Sequence, residues 1–345
     1  MNHYHIAVLL PCFNEAGAIG DTVRSFQHAL PGAAIYVYDN NSTDDTIHEA
    51  KQAGALVFRE RRQGKGEVVK RMFADVEADI YVLADGDNTY DANAAPTLIQ
   101  TLLDENLDMV TGTRSISDDA YPTGHIIGNR SFSALISLFF QSKLNDVFSG
   151  YRIMSRRFVK SVPVLSNGFE IETELSVHAL HHRLATKEVS TLYRARPTGT
   201  ASKLNTFRDG LKILNFILFL LRDVKPLAFF TSLSLFSAFL CLAIGVPVIV
   251  DFFATGLVER FPSAILASAL GVISVLCLFT GLILDNVSRG RLEEKNLRYL
   301  AFPSVKGTAV NLQNKQPLRA SETIEKAPPN EMDQPPTASS RSEWH

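Results

Sequence analysis

Two uncharged apolar runs, from Leu227 to Val250 and from Ser263 to Leu284, constrain this chain more than any other feature. At about 1.5 Å of rise per residue, each run as a helix exceeds the ~30 Å hydrocarbon core of a bilayer. A short loop, from Asp251 to Pro262, separates them, so they predict a helical hairpin in lipid and not two core helices. A Lys or Asp at the centre of either would cost about 3 kcal/mol, and neither run has one. Pro247 falls near the end of the first run, where a membrane helix tolerates a kink. Arg208, Lys212, Arg222 and Lys225 precede the hairpin, and Arg289, Arg291, Lys295 and Arg298 follow it, whereas the loop carries only Arg260. The positive-inside rule then puts the N-terminal region and the C-terminus of an integral membrane protein on the cytoplasmic side, which in a bacterial chain means the inner or plasma membrane.

Up to about Arg222 the sequence reads as a mixed soluble domain. Its first apolar stretch, 6–10, has strand length, so no signal peptide is expected ahead of it. With 34 basic and 36 acidic side chains the 345-residue chain has a net charge of −2, which leaves no electrostatic case for nucleic acid. Cys12, Cys241 and Cys277 are too scattered for a disulfide framework or a zinc site. His178 and His182, one helical turn apart, read as a solvated face.

Short apolar runs at 6–10, 34–38, 55–58, 80–84 and 108–112 read as strands, with helices at 16–30, 43–53, 66–76 and 94–105 between them. Such alternation predicts an α/β fold with a mostly parallel sheet covered on both faces. The chain divides into this domain (1–204), an interfacial amphipathic helix (205–225, with its apolar stretch at 211–221), the two-helix transmembrane hairpin (226–285), a basic cytoplasmic segment (286–305) and a disordered tail (306–345).

Ligands in such sheets bind beyond the carboxyl ends of the strands. The first strand runs into Pro11-Cys12-Phe13-Asn14-Glu15, the second into Asp39-Asn40-Asn41-Ser42-Thr43-Asp44, and the fourth into Asp85-Gly86-Asp87. Asn14 could cap the first helix and Ser42 or Thr43 the second. Capping does not account for Asp85 and Asp87, which can turn together toward one hard divalent cation, Mg²⁺ or Mn²⁺. Glu170, Glu172 and Glu174 read as a solvated helix start, where carboxylates suit the dipole. Gly64-Lys65-Gly66 does not continue into a dinucleotide fingerprint, and no P-loop occurs.

These strand-end segments, with Gly64–Gly66, occur in the order and at the spacing of family 2 glycosyltransferases, which have the GT-A nucleotide-sugar-binding fold. Gly112-Thr113-Arg114, Asn129-Arg130-Ser131, the run Asp146-Val147-Phe148-Ser149-Gly150-Tyr151-Arg152 and the run from Arg196 to Lys203 resemble the polyprenyl-phosphate hexosyltransferases within that family. Two departures stand out. Asn40 and Asn41 replace the usual Asp-Gly, and Thr89 stands where mannose synthases carry a glutamine.

The resemblance implies a membrane-bound, inverting hexosyltransferase moving sugar from a nucleotide-sugar, a UDP-hexose by preference, to undecaprenyl or dolichyl phosphate. It implies a donor pocket of Pro11, Glu15, Asp39, Lys65 and Asp85, with metal on Asp85 and Asp87. Asp87, Asp146, Arg114 and Arg130 would form the catalytic group, and Arg130, Arg152, Arg196 and Lys203 would bind the acceptor phosphate. The charge is needed, because two like charges 4 Å apart repel by about 4 kcal/mol at an effective dielectric of about 20. A homo-oligomer is compatible with this reading. Another membrane acceptor, such as diacylglycerol, or a non-catalytic nucleotide-sugar-binding subunit are the alternatives.

Overall fold

The computed structural model describes residues 4–116, 145–168, 170–194, 222–223 and 225–307. The first strand, β1 (Ile6–Cys12), is central, and its residues from Ala7 onward are buried. Its side chains alternate between two cores. Val8, Leu10 and Cys12 join Ile80, Val82 and Ile153 under helices α1 (Ile19–Ala29) and α4 (Ala95–Asp104). Ala7 and Leu9 join Tyr81, Leu83 and Met154 under α3 (Lys65–Asp75), α5 (Arg156–Ser161) and α6 (Ile171–His181). A strand covered on both faces has no polar side to present, which is why it reads as an unbroken apolar run.

Parallel pairing joins β1 to β2 (Ala34–Asp39) and to β4 (Ile80–Leu83), and β2 to β3 (Leu56–Arg59). Helix α2 (Thr46–Gln52) connects β2 to β3. Beyond β4 lie β6 (Arg152–Ser155), β5 (Met109–Ile116) and β7 (Thr186–Tyr193), giving the order β3-β2-β1-β4-β6-β5-β7. The short β6 runs antiparallel to both neighbours; the other six strands share one direction. The five strands and four helices expected between residues 6 and 112 are present within a few residues, and β6 and β7 extend the sheet past the fifth expected strand.

Two long helices follow, α7 (Pro226–Thr255) and α8 (Phe261–Leu300), joined through a left-handed Gly256. Both are long and apolar enough to cross a membrane, with windows of mean hydropathy 2.5 and 2.3. They pack through small residues. The Ser234 and Ser274 hydroxyls lie 3.0 Å apart, and a Cβ on Gly281 would stand 2.9 Å from the Phe230 Cβ.

Helix α8 does not end with its apolar stretch. Its 40 residues rise about 60 Å, twice a hydrocarbon core. Its last turns lie along the α/β domain, and the basic segment expected at 286–305 is helical as far as Leu300, continuous with the hairpin's second helix. There the Tyr299 hydroxyl donates to Asp108 Oδ2 (2.9 Å), and the Arg157 guanidinium, bonded to Asp108 Oδ1 at 2.5 Å, covers the Tyr299 ring. Asn296 meets His182 at 3.0 Å, Lys306 donates to the Asp104 carbonyl, and Val305 inserts into the core with α1 and α4.

Candidate donor and metal site

The carboxyl ends of β1 and β2 are laced together by side chain to backbone bonds. The Ser42 hydroxyl accepts from the Asn14 amide (2.9 Å), and Asn14 Oδ1 accepts from the Thr43 amide (2.8 Å). Thr46 Oγ1 accepts from the Glu15 amide (2.8 Å). These residues therefore join two loops to each other instead of capping helices; Ala18 and Asp45 occupy the N-cap positions. Asn41 has φ 66°, a left-handed conformation that asparagine tolerates and glycine favours, which accounts for its standing in glycine's place. Asn40 takes a bracing role. Its Nδ2 donates to the Arg62 carbonyl (2.7 Å) and its Oδ1 accepts from the Gly64 amide (2.7 Å).

That brace aims Lys65. A Cβ on Gly64 would stand 2.0 Å from the Asn167 carbonyl oxygen, and one on Gly66 would stand 2.0 Å from that of Ser166. Only glycines let the 166–168 backbone come so close. Glu174 secures the other side of this contact, accepting from the Leu165 and Ser166 amides at 2.8 and 2.9 Å. Lys65, first residue of α3, then places its ammonium 2.5 Å from Asp85 Oδ1 and 2.5 Å from Glu172 Oε1. Burial alone would lower its pKa, but the two carboxylates outweigh burial and hold it above the ordinary lysine range.

Asp85 is partly exposed, whereas Asp87 is buried and accepts from the Thr89 hydroxyl at 2.6 Å. Thr89 thus orients Asp87. Gly86 between them is required by packing, since a Cβ there would lie 2.4 Å from the Cys12 sulfur. The pair suits a hard divalent cation in its donor chemistry, and the Lys65 ammonium already stands beside Asp85 as a cation. Among the described residues no group of three or more His, Cys, Asp or Glu is placed to hold a metal. Further coordination positions would fall to substrate phosphates and water.

The site continues through tyrosines. Tyr90 accepts from the Gly150 amide (2.8 Å), and a Cβ on Gly150 would lie 3.1 Å from Asp85 Oδ2. Tyr90 also contacts Tyr193, whose ring lies 5.6 Å from the Arg114 guanidinium. Burial, with Asp85 adding to it, raises the Tyr90 pKa and keeps its hydroxyl neutral. Arg114 and Asp146 form a two-pronged pair, Nε to Oδ2 at 2.7 Å and Nη2 to Oδ1 at 2.6 Å.

Asp39 is buried at the end of β2, accepting from the Ser42 amide (3.2 Å) with Arg59 at 3.5 Å. Pro11 and Glu15 are also buried at the neighbouring strand end. Arg152 corrects its expected role. It is fully buried and donates to the carbonyls of Val147, Ser149 and Glu172 and to Ser176 Oγ, a structural tie between the 147–149 segment and α6 and not a surface for phosphate. Glu172 and Glu174 are buried, not solvated. His178 is buried too, and burial with neighbouring His182 lowers its pKa to about 2. Arg130, Arg196, Lys203, most of the 205–225 segment and the tail beyond 307 lie outside the described residues.

Residues 7–162 match the profile of glycosyl transferase family 2. Glycosyltransferase AglJ of Haloferax volcanii is 31% identical over 232 residues, covering 66% of this chain and 76% of that protein. The chain belongs to glycosyltransferase family 2. Protein RfbJ of Shigella flexneri is 50% identical over 124 residues, 35% of this chain and 96% of that one. The dolichyl-phosphate hexose transferase of Haloferax volcanii is 27% identical over 209 residues, 60% and 90% of the respective chains. Glucosyl-3-phosphoglycerate synthase of Mycobacterium tuberculosis, solved with Mn²⁺, UDP-glucose and phosphoglyceric acid, superposes with a TM-score of 0.54 at 25% identity, over 62% of this chain and 79% of that one.

Proposed function

We propose that this family 2 enzyme transfers a hexose from a UDP-hexose to a polyprenyl phosphate at the cytoplasmic face of a membrane, with inversion and with a divalent metal. The observation that supports the lipid acceptor is the continuity of α8: one helix joins a span long and apolar enough for a membrane to the α/β domain, and in a bilayer it would hold that domain near the surface. The likeness to a dolichyl-phosphate hexose transferase supports the acceptor, and the Mn²⁺ and UDP-glucose bound by the mycobacterial synthase support the metal and the donor.

In this reading an acceptor phosphate oxygen attacks the anomeric carbon as the bond to the donor diphosphate breaks, and the nucleoside diphosphate leaves with the electron pair. The attacking oxygen is ionised at neutral pH, so no general base is required. Asp85 and Asp87 would hold the metal, which when bound neutralises the departing diphosphate. Lys65 adds a second positive charge there. Asp39 would meet the base once the exposed Arg59 swings off it, with Pro11 and Glu15 lining the nucleoside pocket. Asp146 fixes the Arg114 guanidinium beside Tyr193, next to Gly150, on the side where sugar and acceptor meet. Arg130, Arg196 and Lys203 are assigned to the acceptor phosphate by resemblance.

The test is transfer of labelled sugar from UDP-hexose or GDP-hexose to undecaprenyl phosphate, dolichyl phosphate or diacylglycerol, with Mg²⁺, Mn²⁺ or a chelator. The expected result is metal-dependent transfer from UDP-hexose to a polyprenyl phosphate. A GDP preference would make the enzyme a mannose synthase, and transfer only to diacylglycerol would remove the phosphate-acceptor assignment.

A further inference from the structure

We propose that Lys65 is a resident counter-cation that competes with the metal for Asp85, and that Glu172 is the positioning residue that keeps the ammonium when Asp85 turns to the metal. This rests on the reading of Asp85 and Asp87 as the cation site.

The Lys65 ammonium stands 2.5 Å from one oxygen of each carboxylate, with only 12% of the side chain exposed. The lysine backbone cannot retreat, because Gly64 and Gly66 are pressed against the carbonyls of Asn167 and Ser166. Glu172 cannot follow a departing partner either. Its own carbonyl is held by Arg152 Nη2 (2.8 Å) and Ser176 Oγ (3.0 Å), and its carboxylate is 7% exposed. Leaving that buried carboxylate unpaired would be strongly unfavourable. Asp85 is the more exposed of the two acids, at 29%, so it is the one an incoming cation can reach. Cation arrival then exchanges the Lys65–Asp85 bond for a metal–Asp85 bond while the Lys65–Glu172 pair survives.

The consequence is that metal binds weakly by itself. A nucleoside diphosphate, by drawing the ammonium away from Asp85, strengthens metal binding, and by linkage metal strengthens diphosphate binding equally. Metal and donor therefore enter as a pair.

The experiment titrates Mn²⁺ alone into the full-length chain in detergent, reading free Mn²⁺ by electron paramagnetic resonance. Lys65→Met is expected to bind Mn²⁺ roughly tenfold more tightly than the unaltered chain and Glu172→Gln roughly tenfold more weakly, within the range of coupling found for residues in contact. In the Lys65→Met background Glu172→Gln should change little, because Glu172 acts through Lys65; an equal loss in both backgrounds would reduce Glu172 to a distant charge and overturn its role. Asp87→Ala serves as the control for the site itself. Mn²⁺ binding that ignores Asp87→Ala removes the metal-site reading, whereas binding that needs Asp87 but ignores Lys65→Met overturns only the competition. Should Lys65→Met not fold, Lys65→Gln takes its place in both comparisons: tighter Mn²⁺ binding that no longer responds to Glu172→Gln supports the proposal, and binding no tighter than that of the unaltered chain refutes it.

Discussion

Asp85 and Asp87 end the same strand, yet one is partly exposed beside Lys65 and the other is buried against Thr89. Asp87→Ala should lower transfer by about 10³-fold or more, the scale of losing an aimed electrostatic group, with thermal unfolding little changed. Near-normal turnover of that variant in Mg²⁺ or Mn²⁺ would eliminate the metal-dependent mechanism. Arg114 and Arg152 look alike in sequence, each beside a glycine-bearing strand end, but burial separates them. Arg152→Met leaves the carbonyls of Val147, Ser149 and Glu172 without their donor, at about 1–3 kcal/mol for a stranded buried group. It should therefore lower the melting temperature. Arg114→Lys keeps a cation on the buried Asp146 but loses the two-pronged contact, so it should instead depress turnover more than it lowers the melting temperature, and a reversed pattern in a paired melting and turnover assay would contradict these placements.

Among the elements, α3 and α6 decide the site's accuracy. Gly66→Ala sets a methyl 2.0 Å from a backbone oxygen, so the 166–168 segment or α3 must shift and Lys65 shifts with it. Loss of nucleotide affinity along with a lowered melting temperature is the expected result, measured by UDP titration and calorimetry. Helix α6 also carries the His178 imidazole, kept neutral when folded by burial, with its pKa at about 2 against 6.5 for an ordinary histidine. Below pH 6.5 the unfolded chain binds a proton that the folded chain refuses, so stability falls with falling pH down to about 2. The slope from one such group is about 1.4 kcal/mol per pH unit. His178→Phe, which can keep the edge contact with Phe158, should make the fall in melting temperature between pH 6.5 and 4.5 shallower, with His181 and His182, whose pKa values burial also lowers, keeping their share; an unchanged slope would refute the assignment. The parallel strands were legible because burial on both faces makes them unbroken apolar runs. The strand β6 was not, because Arg152-Ile153-Met154-Ser155 shows neither alternation nor an apolar run, and it owes its place to β4 and β5 on either side.

For the molecule as a whole, α8 changes what a truncation means. Cutting the chain after Arg222 removes the hairpin and also Tyr299 and Val305, which close over Asp108 and the α1–α4 core. The cut domain should therefore melt lower than the full chain. It should still bind nucleotide, because the strand-end pocket lies within the domain. Tyr299→Ala separates the two effects: it strips the Asp108–Arg157 pair of its cover at about 1–3 kcal/mol and leaves the hairpin in place. If α8 positions the site at the bilayer, this variant should lose more transfer to a long polyprenyl phosphate than to a short, water-soluble one. Equal losses on both acceptors would show that the docking serves stability alone.

The sequence by itself determined what depends on local pattern: a mostly parallel α/β sheet, a long apolar hairpin, and the strand ends where Asp39, Asp85 and Asp87 gather. Periodicity and turn chemistry act within a few residues, so they can be read without the fold. Only the tertiary structure decided which charges meet. Glu172 lies far along the chain from Lys65 and has the look of a dipole-favoured acid at a helix start. Burial against that ammonium makes it part of the site. Arg152, placed beside the motif residues, is consumed by carbonyls from two segments, and α8 outruns its apolar stretch to lock the domain in place. Charge pairing at 2.5–3 Å is set by packing among distant segments, and no local pattern encodes it.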